Sequence, residues 1–95
     1  MNEMDKKWTF ITNHAVVLTI LDRKEKYTSR KIALETGLTE RTVITIINDL
    51  ISGGYIKKQK RGRMNHYKIV RDQFLRKNGF SDIYIQEFLK LFPND

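Results

Sequence analysis

Residues 28–52 read TSRKIALETGLTERTVITIINDLIS, and this stretch decides the fold. Thr28 stands where a side-chain oxygen accepts from the free N–H groups of a first helical turn. Ile32 and Ala33 are the inward residues of the helix it opens. That helix stops at Thr36-Gly37, where glycine takes the left-handed backbone form that closes a helix. Leu38 fits as a small plug. Thr39 caps the next helix, and Glu40 in its first turn complements the helix dipole. Val43, Ile46, Ile47 and Leu50 recur at steps of three and four and form its inward stripe. Ser52-Gly53-Gly54 ends it. Two helices joined by a tight glycine turn make a helix-turn-helix.

Upstream, residues 1–7 are polar and charged, a flexible start. From Trp8 the pattern is helical: Ile11, Ala15, Leu18 and Leu21 recur on one side, and Val16, Val17 and Ile20 widen the stripe, so this helix is mostly buried. Asp22 to Lys26 is a charged break. Downstream of the glycines the period changes from 3.6 to two. Tyr55 to Lys58 reads as a strand, Lys60 to Asn65 as a turn or loop around Gly62, and His66 to Val70 as a second strand with Tyr67 and Ile69 on one face. Helical character resumes from Asp72 to Lys77 and stops at Asn78-Gly79. Ser81 caps a last helix to Phe92, and Pro93 closes it. Ile83, Tyr84, Ile85, Phe88, Leu89, Leu91 and Phe92 cover more than the single stripe a helix needs against its own domain. Ile83, Tyr84, Phe88, Leu89, Leu91 and Phe92 are therefore expected at a contact with a second subunit. The expected architecture is α+β: a helix-turn-helix domain with a two-stranded wing over 8–71 and a C-terminal helical extension for dimerisation over 72–95.

The chain has 95 residues, 40% apolar and 31% charged, values of a folded domain and not of a disordered one. A chain this short buries only about 60–65% of its unfolded surface, so burial against a partner helps it. The net charge of +7 is not spread evenly. Residues 55–71 carry seven Lys/Arg (Lys57, Lys58, Lys60, Arg61, Arg63, Lys68, Arg71) and no acid, while the segments on either side nearly balance. Such a basic stripe suits a polyanion. No apolar run approaches the ~18–20 residues of a membrane span and Met1 leads into no apolar run. A cytoplasmic protein without membrane contact is expected.

The run from Thr28 to Val70 resembles winged helix-turn-helix transcriptional regulators of the MarR-like and ArsR-like types. The resemblance is carried by Ser29-Arg30-Lys31-Ile32-Ala33, Gly37-Leu38-Thr39, Thr42-Val43, Leu50, Gly54-Tyr55-Ile56 and Gly62-Arg63-Met64-Asn65-His66-Tyr67, and it covers roughly residues 10–70. It implies that the third helix enters the major groove of double-stranded DNA while the second, with Arg30 and Lys31, crosses the backbone. By position, the reading face is then Glu40, Arg41, Thr42, Thr45 and Asn48. Arg41 suits guanine O6/N7 or a phosphate, Asn48 suits adenine, and Thr42 and Thr45 suit a thymine methyl or a phosphate. It also implies that Arg61 and Arg63 at the wing tip reach phosphates or the minor groove, with Lys57, Lys58, Lys60 and Lys68 as phosphate contacts or steering charges. Four to six such contacts give a log–log salt slope of about −4 to −5 per subunit. Two positions depart from the pattern. Ile44, where relatives commonly have a polar residue, lies with Ile51 away from the inward stripe; the open readings are packing against the hairpin or an adjoining helix, a protein-binding face, or contact of Ile44 with a thymine methyl. Thr45 stands where many relatives are basic.

An enzyme is not expected. Zero cysteines exclude thiolate catalysis and Cys-ligated metal sites. His14 reads as a packed, hydrogen-bonded residue, and the isolated His14 and His66 give no ligand spacing. No glycine loop cradles a phosphate. No cofactor is expected, and a small effector finds room only at a dimer cleft. The favoured reading is a dimeric, sequence-specific repressor of transcription. The alternatives are a plasmid or phage replication, partition or architectural DNA-binding protein, or a protein-interaction module using Ile44 and Ile51.

Overall fold

The computed structural model describes residues 10–23, 28–62, 64–76, 79 and 82–92, the side chains of Arg61 and Met64 excepted. The element order is α1 (Asn13–Arg23), α2 (Ser29–Thr36), α3 (Glu40–Ser52), β1 (Ile56–Arg61), β2 (Met64–Ile69) and α4 (Ile85–Leu89). This is an α+β winged helix-turn-helix.

Local chemistry explains the helix ends. Thr12 Oγ1 accepts from Ala15 N at 3.2 Å, so α1 starts later than the apolar pattern from Trp8 suggests; Trp8 itself lies outside the described residues. Thr28 Oγ1 accepts from Lys31 N at 3.2 Å and Thr39 Oγ1 accepts from Thr42 N at 3.1 Å, the two caps expected. Gly37 closes α2 at φ 79°, and its N–H donates to Ala33 O at 2.9 Å. Removing the second cap with Thr39→Ala is expected to lower the unfolding free energy by about 1 kcal/mol, read as a lower urea midpoint at unchanged slope. A midpoint equal to the parent's contradicts the cap's role.

The core is built where the three helices meet the base of the hairpin. Val17, Leu18, Ile20 and Leu21 of α1, Ile32 of α2, and Val43, Ile46, Ile47 and Leu50 of α3 pack with Ile56 and Ile69 from the two strands. Each fully buried aliphatic side chain contributes about 1.5–3 kcal/mol relative to exposure. This packing, rather than propensity, holds an eight-residue helix such as α2.

The hairpin is longer than the sequence pattern suggests. β1 and β2 pair antiparallel from Ile56↔Ile69 to Arg61↔Met64, so most of the expected loop at 60–65 is ladder. Gly62, at φ 63°, supplies the positive φ that a two-residue reversal demands. Backbone hydrogen bonds need no apolar alternation, so a strand end of lysine, arginine and asparagine carries no strand signal in the sequence.

The C-terminal region departs most. Residues 71–76 are not helical: Phe74 forms an antiparallel bridge with Tyr84, Leu75 N donates to Ile83 O at 2.8 Å, and Ile85 N donates to Gln73 O at 2.7 Å. The Phe74 and Tyr84 rings stack with centroids 4.5 Å apart. This bonding between two stretches of the chain takes backbone groups that the expected 72–77 helix would have used. The last helix is confined to 85–89 instead of 81–92. Glu87 Oε1 accepts from Tyr84 N at 3.2 Å at its start, and the chain leaves it through i→i−3 turns to Phe92. Ser81 and Pro93, expected to bound it, lie outside the described residues. Leu89, expected on a pairing surface, is 3% exposed and sits with Ile85 in the chain's own core. The reason is spacing: positions 85 and 89 are one turn apart and share the inward side.

Candidate nucleic-acid interface

The outward side of α3 follows from its inward one. At about 100° per residue, Arg41, Thr45, Asn48 and Ser52 point within about 30° of the direction opposite the buried Val43–Ile46–Ile47–Leu50 stripe. All four are exposed. Arg41 to Asn48 covers about 10 Å of helix axis, or about three base-pair steps. Ser52 was missed by sequence reasoning, although the same wheel finds it.

Several α3 side chains are already engaged. Thr39 Oγ1 donates to Thr42 Oγ1 at 2.8 Å, which leaves the Thr42 hydrogen free. Thr45 Oγ1 donates back to Arg41 O at 3.1 Å. Ser29 Oγ reaches Glu40 Oε2 at 3.4 Å, a long bond between the starts of the two helices. His14 Nε2 lies 2.8 Å from Asp49 Oδ2. The ionised carboxylate only accepts, so Nε2 carries the hydrogen. His14 is thus hydrogen-bonded as expected, but exposed rather than packed. The pair also ties the first turn of α1 to the late turns of α3.

Arg30 and Lys31 are exposed in the first turn of α2, which holds no acid. Two cations at the positive end of a helix are unfavourable alone, and an anion placed there offsets both.

The wing carries lysine on both faces. Ile56 and Ile69 are buried partners, so by alternation Lys58 and Lys60 share their face, while Lys57 and Lys68 lie opposite each other on the other. All four lysines are exposed. Like charges directly opposed across a ladder repel, a small cost that an external anion removes. Tyr67, opposite Lys58, packs against the core, and burial pushes its phenol above the ordinary value of 10.0. It stays protonated through the neutral range. Arg63 lies outside the described residues. Asn65 and His66 join the wing opposite Lys60 and Gln59, positions to which the sequence assigns no DNA contact.

Arg71 is a base of a different kind. Its Nη2 donates to Asp22 Oδ1, whose side chain is 9% exposed, and so anchors the chain leaving the wing to the end of α1. Arg71→Ala is expected to lower stability by about 1–3 kcal/mol, because a largely buried carboxylate loses its partner. It should leave the salt slope of duplex binding unchanged, whereas a slope reduced by about one would make Arg71 a phosphate contact.

The expectation of little room for a ligand meets two open clefts. One, of about 700 Å³, runs along Lys57, Gln59 and Lys68 to Asp22, Arg71 and Gln86. The other, of about 260 Å³, is nearly all apolar and lies between Leu18, Leu50, Tyr55, Leu75 and Phe88. Among the described residues, no three His, Cys, Asp or Glu side chains gather as a metal site, and no helix is long and apolar enough to cross a membrane.

Residues 12–93 match the family described as penicillinase repressor. The chain belongs to the penicillinase repressor family. It is thus a winged-helix DNA-binding regulator and not an enzyme. The resemblance to MarR-like and ArsR-like regulators holds for the fold, but the penicillinase repressor family is the more specific assignment, and it extends past the wing into the C-terminal region. The comparison with curated proteins gave no match.

Proposed function

We propose that this penicillinase repressor family member is a dimeric, sequence-specific repressor that lays α3 in the major groove and the wing along the backbone or minor groove. One observation carries the reading. Among the described residues, the outward face of α3 and the acid-free wing both carry exposed hydrogen-bonding or basic side chains, and they are consecutive in the fold. In this reading Arg41 and Asn48 address base edges, with Glu40, Thr42 and Thr45 beside them. Arg30 and Lys31 meet the backbone from α2. Lys57, Lys58, Lys60, Lys68, Arg61 and Arg63 meet phosphates, and lysines on both wing faces suit the two walls of a groove.

Pairing is assigned to the C-terminal segment 72–95. Phe74 and Tyr84 are 41% and 43% exposed and Leu91 is 71% exposed, an apolar area a monomer leaves in water. Ile83, Phe88 and Phe92 flank it, while Leu89 supports it from within. Two copies of α3 about 34 Å apart then meet successive turns of one duplex face, and binding there blocks polymerase.

Selection of bound sequences from a random duplex pool tests this directly. An inverted repeat with half-site centres about one helical turn apart is expected. Recovery of unrelated sequences with salt-sensitive affinity favours an architectural role, and no enrichment or binding overturns the reading. On the selected site, Arg41→Ala is expected to cost about 1–3 kcal/mol and to relax preference at one position. An equal loss on random duplex moves Arg41 to the phosphate contacts.

A further inference from the structure

Ile44 is an exception on the solvent side of α3. The other exposed residues there, Glu40, Arg41, Thr42, Thr45, Asn48, Asp49 and Ser52, are polar, while Ile44 is 46% exposed. It lies three residues after Arg41 and four before Asn48, so it shares their side of the helix, one turn from each. Ile51, seven residues on, has the same angular position but packs against the core. The packing that covers Ile51 therefore does not extend to Ile44.

Thr45 adds a second, independent observation. Its hydroxyl hydrogen is used within the helix, on Arg41 O at 3.1 Å. What Thr45 offers outward is a methyl group and an acceptor lone pair. Ile44 and the Thr45 methyl thus lie on either side of the line from Arg41 to Asn48, about 100° apart around the helix. Major-groove base edges present donors, acceptors and a single apolar feature, the thymine 5-methyl group.

We propose that Ile44, with the Thr45 methyl, reads thymine 5-methyl groups between the base pairs addressed by Arg41 and Asn48. The proposal deepens the DNA-reading role of α3 and rests on it. It makes Ile44 a specificity-determining residue rather than a protein-docking one. Because the contact is uncharged, it contributes nothing to salt dependence.

The test replaces thymine by deoxyuridine, one position at a time, in the duplex recovered by random-pool selection. This removes the methyl group and leaves the hydrogen-bonding edge intact. One or two positions in each half-site should weaken binding by the 95-residue chain about three- to fivefold, the effect of one buried methyl. In Ile44→Ala the penalty at one or more of those positions should vanish, with the salt slope unchanged, any that remains belonging to the Thr45 methyl, while Ile44→Val should retain most of it. Circular dichroism checks that both variants fold. Deoxyuridine effects within twofold everywhere overturn the proposal. So do penalties that all persist undiminished in Ile44→Ala, or a selected site with no thymine in the three-base-pair window. Each of these leaves DNA reading by α3 standing, whereas failure to select or bind any duplex overturns both.

Discussion

Ile32→Ala is expected to lower the unfolding free energy by about 2–5 kcal/mol, a large part of the roughly 5–15 kcal/mol available to a small domain. Ile32 is fully buried and is the inward residue on which α2 docks against α1 and α3. α2 has eight residues, too few to be stable without that packing. Truncation removes apolar contact and opens a cavity that the caps at Thr28 and Gly37 do not help to fill. Urea unfolding followed by far-ultraviolet circular dichroism should show a much lower midpoint. Duplex binding should fall with the folded fraction and recover in a stabilising osmolyte. A loss below about 1 kcal/mol would mean that α2 is not held by this residue, against the packing described.

The triple change Lys57, Lys58 and Lys60→Gln is expected to leave folding within about 0.5 kcal/mol of the parent and to weaken duplex binding by two to three orders of magnitude for each bound subunit. The three ammonium groups are exposed, and among the described residues none forms an ion pair. Each phosphate contact contributes about 0.9 to the log–log salt slope, or roughly eightfold in affinity near 0.1 M salt. The slope should therefore flatten by about 2.7 per subunit, with equal losses on selected and random duplexes. An unchanged slope would reduce the wing lysines to guards of an exposed sheet edge.

What the sequence made legible was local. The hydroxyl caps at Thr28 and Thr39, the left-handed Gly37 and the α3 stripe each depend on residues within one or two turns, and all appear where expected. The exposed face of α3 and the wing charges follow from the same periodicities. What it concealed was long-range. The bridge of Phe74 to Tyr84 replaces a helix at 72–77, and it depends on a pairing across ten residues that no spacing rule signals. His14 with Asp49, and Arg71 with Asp22, are contacts 35 and 49 residues apart in sequence. The second of these turns one base of the acid-free stretch into a structural tie. Leu89 looked like surplus apolar surface only because the extent of the chain's own core was not visible.

The central claim is that the outward face of α3 and the wing form one duplex-binding surface. Amide chemical-shift mapping of the isotopically labelled chain, titrated with a selected duplex, tests it most directly. The account predicts the largest shifts at Arg41, Ile44, Thr45, Asn48 and the wing residues 57–68, with smaller ones at Arg30 and Lys31. Shifts confined to the apolar cleft of Leu18, Leu50, Tyr55, Leu75 and Phe88 or to the C-terminal segment, or none at duplex excess in low salt, would contradict it.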